Sequence, residues 1–472
     1  MRQRTKLQFV VFLSFLLLVT SLVRSDDLGA RVDRLFSRWD RDDSPGCALA
    51  VVEDGQIVYK KGYGMANLEL GVPVSPASVF YIGSVSKQFV AMCIALLADR
   101  EVISMDDDIR KYVPEMPDYG VPVTIRHLIH HTGGIRDYLE LEAIARIPFG
   151  FYHEQDVIGL ISRQRELNFV PGEEHTYSNS GYFMLGVIVE RASGQSLREF
   201  AHENIFEPLG MKNSRFHDDF QELIPDRAAG YFDAGKGSFR NFISTFDCVG
   251  SGGLFTSVED LFLWDQNFTH HKVGGKDVMA LLHTQGVLNS GEKLEYAFGL
   301  QIDDYRGLKI VEHGGSLGGY RAELLRFPEQ RFSVIILSNL SSVVPNRLAR
   351  QVADLYLVED FKEEKPKPKR RAVEKPATFH ISEKTLLEFP GQFHSEEIQT
   401  DFQILIEDGK LCLRRDLGPN LPMQAAGEDL FKVQGWTIRF VRDAENQVSG
   451  FRLSSGRVRN LLFEKQNNAV FY

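Results

Sequence analysis

The chain opens on an apolar run, Leu7 to Val23, preceded by Arg2, Arg4 and Lys6 and followed by Val23-Arg24-Ser25 and two aspartates. A basic head, an apolar run of 17 residues and a short cut-site pattern predict a secretory signal peptide over residues 1–25. Arg31 to Trp39 then alternates as an amphipathic helix. Cys47–Glu53 and Gln56–Lys61 flank Asp54-Gly55, the signature of a two-residue β-hairpin. Between about 84 and 282 the apolar spacing is mostly helical, interrupted by loops containing Gly and Pro. Strand patterns return at Glu295–Asp303, Lys309–Glu312, Ala322–Phe327 and Phe332–Ser338, and Arg347–Val358 is helical again. Strands from both ends of this region with helices between them predict an α/β fold: an antiparallel sheet flanked by helices, with a helical subdomain.

The charged stretch from Lys362 to Lys375, with Pro366 and Pro368, has nothing to bury and reads as a linker over 362–377. Residues 378–472 carry short alternating segments such as Phe402–Ile406, Lys410–Arg414, Trp436–Val441 and Leu461–Glu464. They predict a small all-β barrel or sandwich, expected to pack near a cleft of the larger domain and restrict what enters it. The domain division is therefore 1–25, 26–361, 362–377 and 378–472.

Composition narrows the class. Hydrophobic residues at 43% and charged residues at 25% exclude wholesale disorder and a multi-span membrane protein. Loss of Arg2, Arg4, Lys6 and Arg24 with the signal would take the formal net charge from −10 to −14. That acidity argues against nucleic acid as a partner. The expected location is periplasmic or extracellular, with no stable membrane anchor after cleavage. Cys47, Cys93, Cys248 and Cys412 are scattered, with no CxxC pair, and read as buried thiols.

Candidate chemistry lies in three motifs. Ser84 and Lys87 open an apolar helix and share one face of it. A lysine desolvated there can take the proton of a serine hydroxyl, and the helix N-terminus favours a developing oxyanion. Chance supplies ~2 copies of SxxK in a chain this long. The second, Ser290-Gly-Glu-Lys293, sits in a turn with no helix after it. Tyr177-Ser178-Asn179, in a loop entering another apolar helix, offers a phenol to shuttle a proton and an amide to orient a substrate. His313-Gly314-Gly315 ends the strand Leu308–Glu312, and its glycines let a substrate lie along the strand edge. His131-Thr-Gly133 repeats the spacing, so order and context carry the third signal.

In that order the motifs resemble the serine β-lactamase and penicillin-binding-protein superfamily, whose pattern is SxxK, then SDN or YxN, then KTG or a variant. The YxN and HxG forms are similar to the class C β-lactamase, DD-peptidase and D-aminopeptidase branch, peptidase family S12. Val51–Met65, Leu128–Ile135 and Gly250–Leu261 fit the same branch, and the tail resembles the lipocalin-like barrels of some relatives. The resemblance implies Ser84 as acylated nucleophile, Lys87 as its base and Tyr177 as proton shuttle. It implies Asn179 and His313 as substrate contacts, Gly315 as part of the substrate-binding strand, and the amides of Ser84 and Ser316 as an oxyanion hole. The implied reaction needs no metal or other cofactor; the partner is a small-molecule or peptide substrate, and the oligomeric state stays open. His-Gly-Gly in place of KTG loses a fixed cation and a hydroxyl. This disfavours β-lactams against peptidase, D-aminopeptidase or esterase substrates.

Three other readings compete. Gly314-Gly-Ser316-Leu-Gly318 fits the GxSxG nucleophile elbow, with His380 and His394 downstream, but the residues after it read as strands. His127, His130 and His131 include an i, i+4 pair that could bind zinc, without a third ligand in the pattern. A cleft with these motifs could also bind a peptide or β-lactam without turnover, as a sensor.

Overall fold

The structure, a computed structural model, describes residues 27–148, 150, 153–362, 379–415 and 418–466. The signal segment and all but the first residue of the linker lie outside them.

Six strands make the central antiparallel sheet: β1 (Cys47–Glu53), β2 (Gln56–Tyr63), β3 (Gln301–Tyr305), β4 (Leu308–Leu317), β5 (Tyr320–Phe327) and β6 (Phe332–Ser338), in the order β3-β4-β5-β6-β1-β2. The expected hairpin joins β1 to β2, with positive φ at Asp54 and Gly55 as its tight turn requires. The long apolar run of β1 is explained by burial on both faces. Cys47, Leu49 and Val51 face a layer made by helix α1 (27–36) and the carboxy-terminal helix Pro345–Tyr356, whereas Ala48 and Ala50 face the helical lobe.

Helix α2 (Lys87–Asp99) is buried from Lys87 through Leu97, so it shows no polar face and reads as a continuous apolar run. It packs against α4 (Asn179–Ser193), which follows the shorter α3 (Tyr138–Ala145) in the lobe. Two expectations differ from the observed structure. Glu295–Leu300 is turn rather than strand, and β3 begins only at Gln301. The lobe region also contains a three-stranded patch (Phe80–Tyr81, Arg215–Phe216, Leu254–Thr256) and a hairpin, Gly230–Gly235 with Ser238–Phe242. The two- and three-residue strands of the patch, held by distant partners, leave no period to detect.

The tail forms a nine-stranded antiparallel sheet whose two edge strands, Leu421–Pro422 and Gln424–Ala425, are consecutive in the chain, so the barrel is nearly closed. Its interior is aromatic, with Phe393, Phe440, Phe451 and Phe463 in ring contact. The hairpin of Val448–Ser455 and Val458–Lys465 turns at Gly456-Arg457 directly against the lobe. Fully buried Arg136 bonds Glu397 and the carbonyls of Arg459 and Asn460 from the barrel. Arg452 pairs with Glu166, and Arg459 with Glu174. Among the described residues no helix is long and apolar enough to cross a membrane, and all four cysteines are free and buried.

Candidate active site

Ser84 sits in a single 3-10 turn, Gly83–Ser86, that feeds α2 and brings Lys87 beneath it. Lys87 Nζ lies 3.1 Å from Ser84 Oγ, 3.0 Å from Asn179 Oδ1 and 2.6 Å from the carbonyl oxygen of Ser251. Two of these partners can only accept, so a neutral amine gives both its protons to them and turns its lone pair to the serine hydroxyl. Burial holds the lysine well below its ordinary pKa; Asp137 opposes this and the Arg457 cation adds to it. The arrangement suits proton abstraction from Ser84.

Asn179 is the first residue of α4 and is gripped on both sides. Its backbone and side-chain amides donate to Asp137 Oδ2 at 2.6 and 2.9 Å, and its oxygen meets Lys87. Tyr177 is buried, with its ring 4.8 Å from Lys87 Nζ and 4.3 Å from the ring of His131. Its hydroxyl has no hydrogen-bond partner, although Ser84 is close enough to oppose the rise in pKa that burial causes. A phenol without a hydrogen-bond partner beside a nucleophile and its base is placed to exchange a proton with a reacting group.

His313 falls within β4, where both its nitrogens are occupied. Nδ1 faces the carbonyl of Gly314 at 2.7 Å and must donate, so Nε2 accepts from the Tyr296 hydroxyl at 3.1 Å. Burial, with Lys87 nearby, lowers its pKa to about 4. The imidazole is therefore neutral at pH 7, and its ring centre lies 6.3 Å from that of Tyr177, with Tyr296 rather than Tyr177 as its hydrogen-bond partner.

Strand β3 pairs with β4 only as far as Glu312, so from His313 onward that edge has no strand neighbour. Gly83-Ser84 takes its place. A Cβ on Gly315 would lie 1.8 Å from the carbonyl oxygen of Ile82, and one on Gly83 would lie 2.5 Å from Ser316 N. This approach, possible only for glycine, sets the Ser84 and Ser316 amides side by side at the mouth of a cleft of about 670 Å³. Ser84, Tyr177, Asn179, His313, Gly315 and Ser316 all line that cleft.

The other motifs lie apart from it or serve locally. Ser290 and Lys293 flank a turn at Gly291. The GxSxG segment runs from β4 into β5 as a hairpin, not into a helix, and His394 pairs with Asp401 in the barrel. His127 accepts from the amide of Thr124, His130 packs edge-on to Phe298 and His131 accepts from the amide of Ser178. Sequence reasoning missed Asp137, Tyr296 and Arg457. Asp137 had a usable signal, since Asp137 three residues before Glu140 is a helix-capping spacing.

Glu323, opposite Gly314 on β5, completes the wall. Burial and the neighbouring Glu312 push its carboxyl up to about 8. A folded pKa above the unfolded value means the neutral acid stabilises the fold fully below about 4.3, and this is lost as pH rises through 8. The thermal midpoint is accordingly expected to fall between about pH 5 and pH 8 and to level off above it, and Glu323→Gln to flatten that fall in a calorimetric pH series.

The family described as Beta-lactamase matches residues 32–357. A D-aminopeptidase of Gluconobacter oxydans (strain 621H) is 28% identical over 336 residues, covering 71% of this chain and 62% of its own length. Penicillin-binding protein 4* of Bacillus subtilis (strain 168) is 32% identical over 311 residues, covering 62% of this chain and 68% of its own. The octameric penicillin-binding protein homologue from Pyrococcus abyssi superposes with a TM-score of 0.62 at 26% identity, over 93% of this chain and 99% of that one. The chain thus spans somewhat under two thirds of the first relative's length.

Proposed function

The chain belongs to the beta-lactamase family, and from that premise we propose that it is a metal-independent serine hydrolase cleaving amide bonds of D-amino-acid peptides or amides through a Ser84 acyl-enzyme. The placement of Lys87 carries the reading: its lone pair is aimed at Ser84 Oγ by two partners that can only accept. Ser84 Oγ attacks the carbonyl carbon as Lys87 takes its proton. The oxyanion forms against the amides of Ser84 and Ser316. The proton passes by way of Tyr177 to the leaving nitrogen as its bond to carbon breaks. Water then attacks the ester, gives a proton back along the same route, and Ser84 is released with its hydroxyl restored.

A neutral His313 supports peptidase over β-lactamase turnover, because no fixed cation stands at that point for the carboxylate of a β-lactam. The name of the D-aminopeptidase relative supports the D-amino-acid class. Export by the amino-terminal signal, to the periplasm or the medium, belongs to the same proposal. An esterase or weak β-lactamase is the alternative chemistry, and a peptide-binding sensor the alternative without turnover.

A panel of D-alanine p-nitroanilides, a p-nitrophenyl ester and nitrocefin, with Ser84→Ala as control, separates these. Turnover of the anilides with nitrocefin at least ~10-fold slower is expected, together with a fluorophosphonate adduct on the Ser84 peptide by mass spectrometry. Adduct without turnover would favour the sensor. Activity that survives Ser84→Ala would end the acyl-enzyme reading.

A further inference from the structure

Along the face where barrel and lobe meet, the arginines of the barrel hairpin are hydrogen-bonded to carboxylates with one exception. Arg452 bonds Glu166 at 2.7 and 3.0 Å, and Arg459 bonds Glu174 at 2.9 Å. Arg457 lies between them in sequence, and its guanidinium makes no hydrogen bond to any described residue. Its nearest carboxylate oxygen is Asp137 Oδ2 at 3.7 Å, already filled by the two amides of Asn179.

The backbone of Arg457, by contrast, is clamped. Its amide donates to Glu140, and its carbonyl accepts from Asn168 Nδ2 at 2.9 Å and from the amide of Asp137 at 3.3 Å. A turn fixed this firmly delivers a side chain to one place: over the Tyr177 ring, 4.8 Å from its centroid, on the wall of the catalytic cleft. The side chain is 45% exposed there and lines the cleft, so its guanidinium is open to a ligand.

Among the described lining residues the only other charged type is Glu323, which burial and Glu312 keep largely neutral at pH 7. The cleft therefore presents one fixed cation. It stands beside Asn179, the residue expected to orient the substrate, to which it is linked through Asp137.

We propose that Arg457, delivered by the accessory barrel, anchors a carboxylate on the acyl portion of the substrate, so that acidic acyl-D-amino-acid amides or peptides are preferred to those with a free amino terminus. This rests on the Ser84 acyl-enzyme reading and narrows its substrate class. A free α-ammonium at this wall would meet a like charge, whereas a carboxylate matches the forked guanidinium.

Three p-nitroanilides with one leaving group test it: D-alanine, N-acetyl-D-alanine and N-succinyl-D-alanine p-nitroanilide, which carry a cation, no charge and an anion on the acyl side. In the full-length protein the succinyl compound is expected to exceed the acetyl one in kcat/KM by ~10-fold or more, chiefly through KM, with the free amine slowest. Arg457→Gln should bring the succinyl-to-acetyl ratio to about one, Arg457→Lys should keep part of it, and Arg457→Glu should shift preference to the free amine. A wild-type preference for the free amine or the neutral compound overturns the proposal without any variant, as does an unchanged ratio in a folded Arg457→Gln. Failure of the underlying reading looks different: none of the three compounds would then acylate Ser84.

Discussion

Lys87→Ala is expected to lower kcat/KM by ~10²–10⁴-fold, the range for loss of a positioned general base, and Lys87→Arg to do no better. The second variant separates two roles. An arginine carries a fixed positive charge and some hydrogen bonding to Asn179 and Ser251, but it does not release its proton at any working pH. If Lys87 acted only as a fixed cation, the arginine variant would retain much of the rate. If it takes the proton of Ser84, both variants fail together, as its burial and its two accepting partners require. Stopped-flow acylation by a p-nitrophenyl ester measures the step directly. Equal acylation by wild type and Lys87→Arg would show that the base lies elsewhere.

The second large effect is expected at Gly315. Its α-carbon packs against the peptide that precedes Ser84, and a methyl group there would sit 1.8 Å from the Ile82 carbonyl oxygen. Gly315→Ala must push the Ser84 turn away from β4, which widens the gap between the amides of Ser84 and Ser316. Loss of one oxyanion donor costs about 10²–10³-fold in kcat. A loss of that size is expected with the sheet still formed, because Gly315 lies beyond the reach of β3 on that edge. Circular dichroism alongside kinetics checks this: a native spectrum with near-normal rate would mean that the two backbones are not held together as described.

Much of the frame was legible because periodicity and turn chemistry are local. Cys47–Glu53 and Phe332–Ser338 were read to the residue, since runs of apolar residues bounded by turn-formers have few other solutions. The paired halves of the small sheet around Leu254 were not, because two- and three-residue strands are held by partners about 40 to 170 positions away. The same division runs through the site. Ser84 with Lys87 and Tyr177 with Asn179 sit on helix entries that bear sequence marks. Tyr296 faces His313 from a turn that had been read as strand, and Arg457 reaches Tyr177 from another domain. Nothing short-range encodes such meetings. His313 shows a subtler gap: its position was expected, but its tautomer follows from a tyrosine and a carbonyl that only the folded chain brings near.

The buried Arg136 bears on how such a protein can change over generations. Its charge is answered by Glu397 and by two carbonyls of the barrel hairpin, and breaking a buried ion pair of this kind costs about 3–5 kcal/mol. A recombination event that exchanged the barrel for that of a relative would have to bring a carboxylate at the position of Glu397 or lose stability at the junction. The same exchange would replace Arg457 and with it the cation in the cleft. A change of barrel is therefore expected to succeed only when the partners of Arg136 come with it.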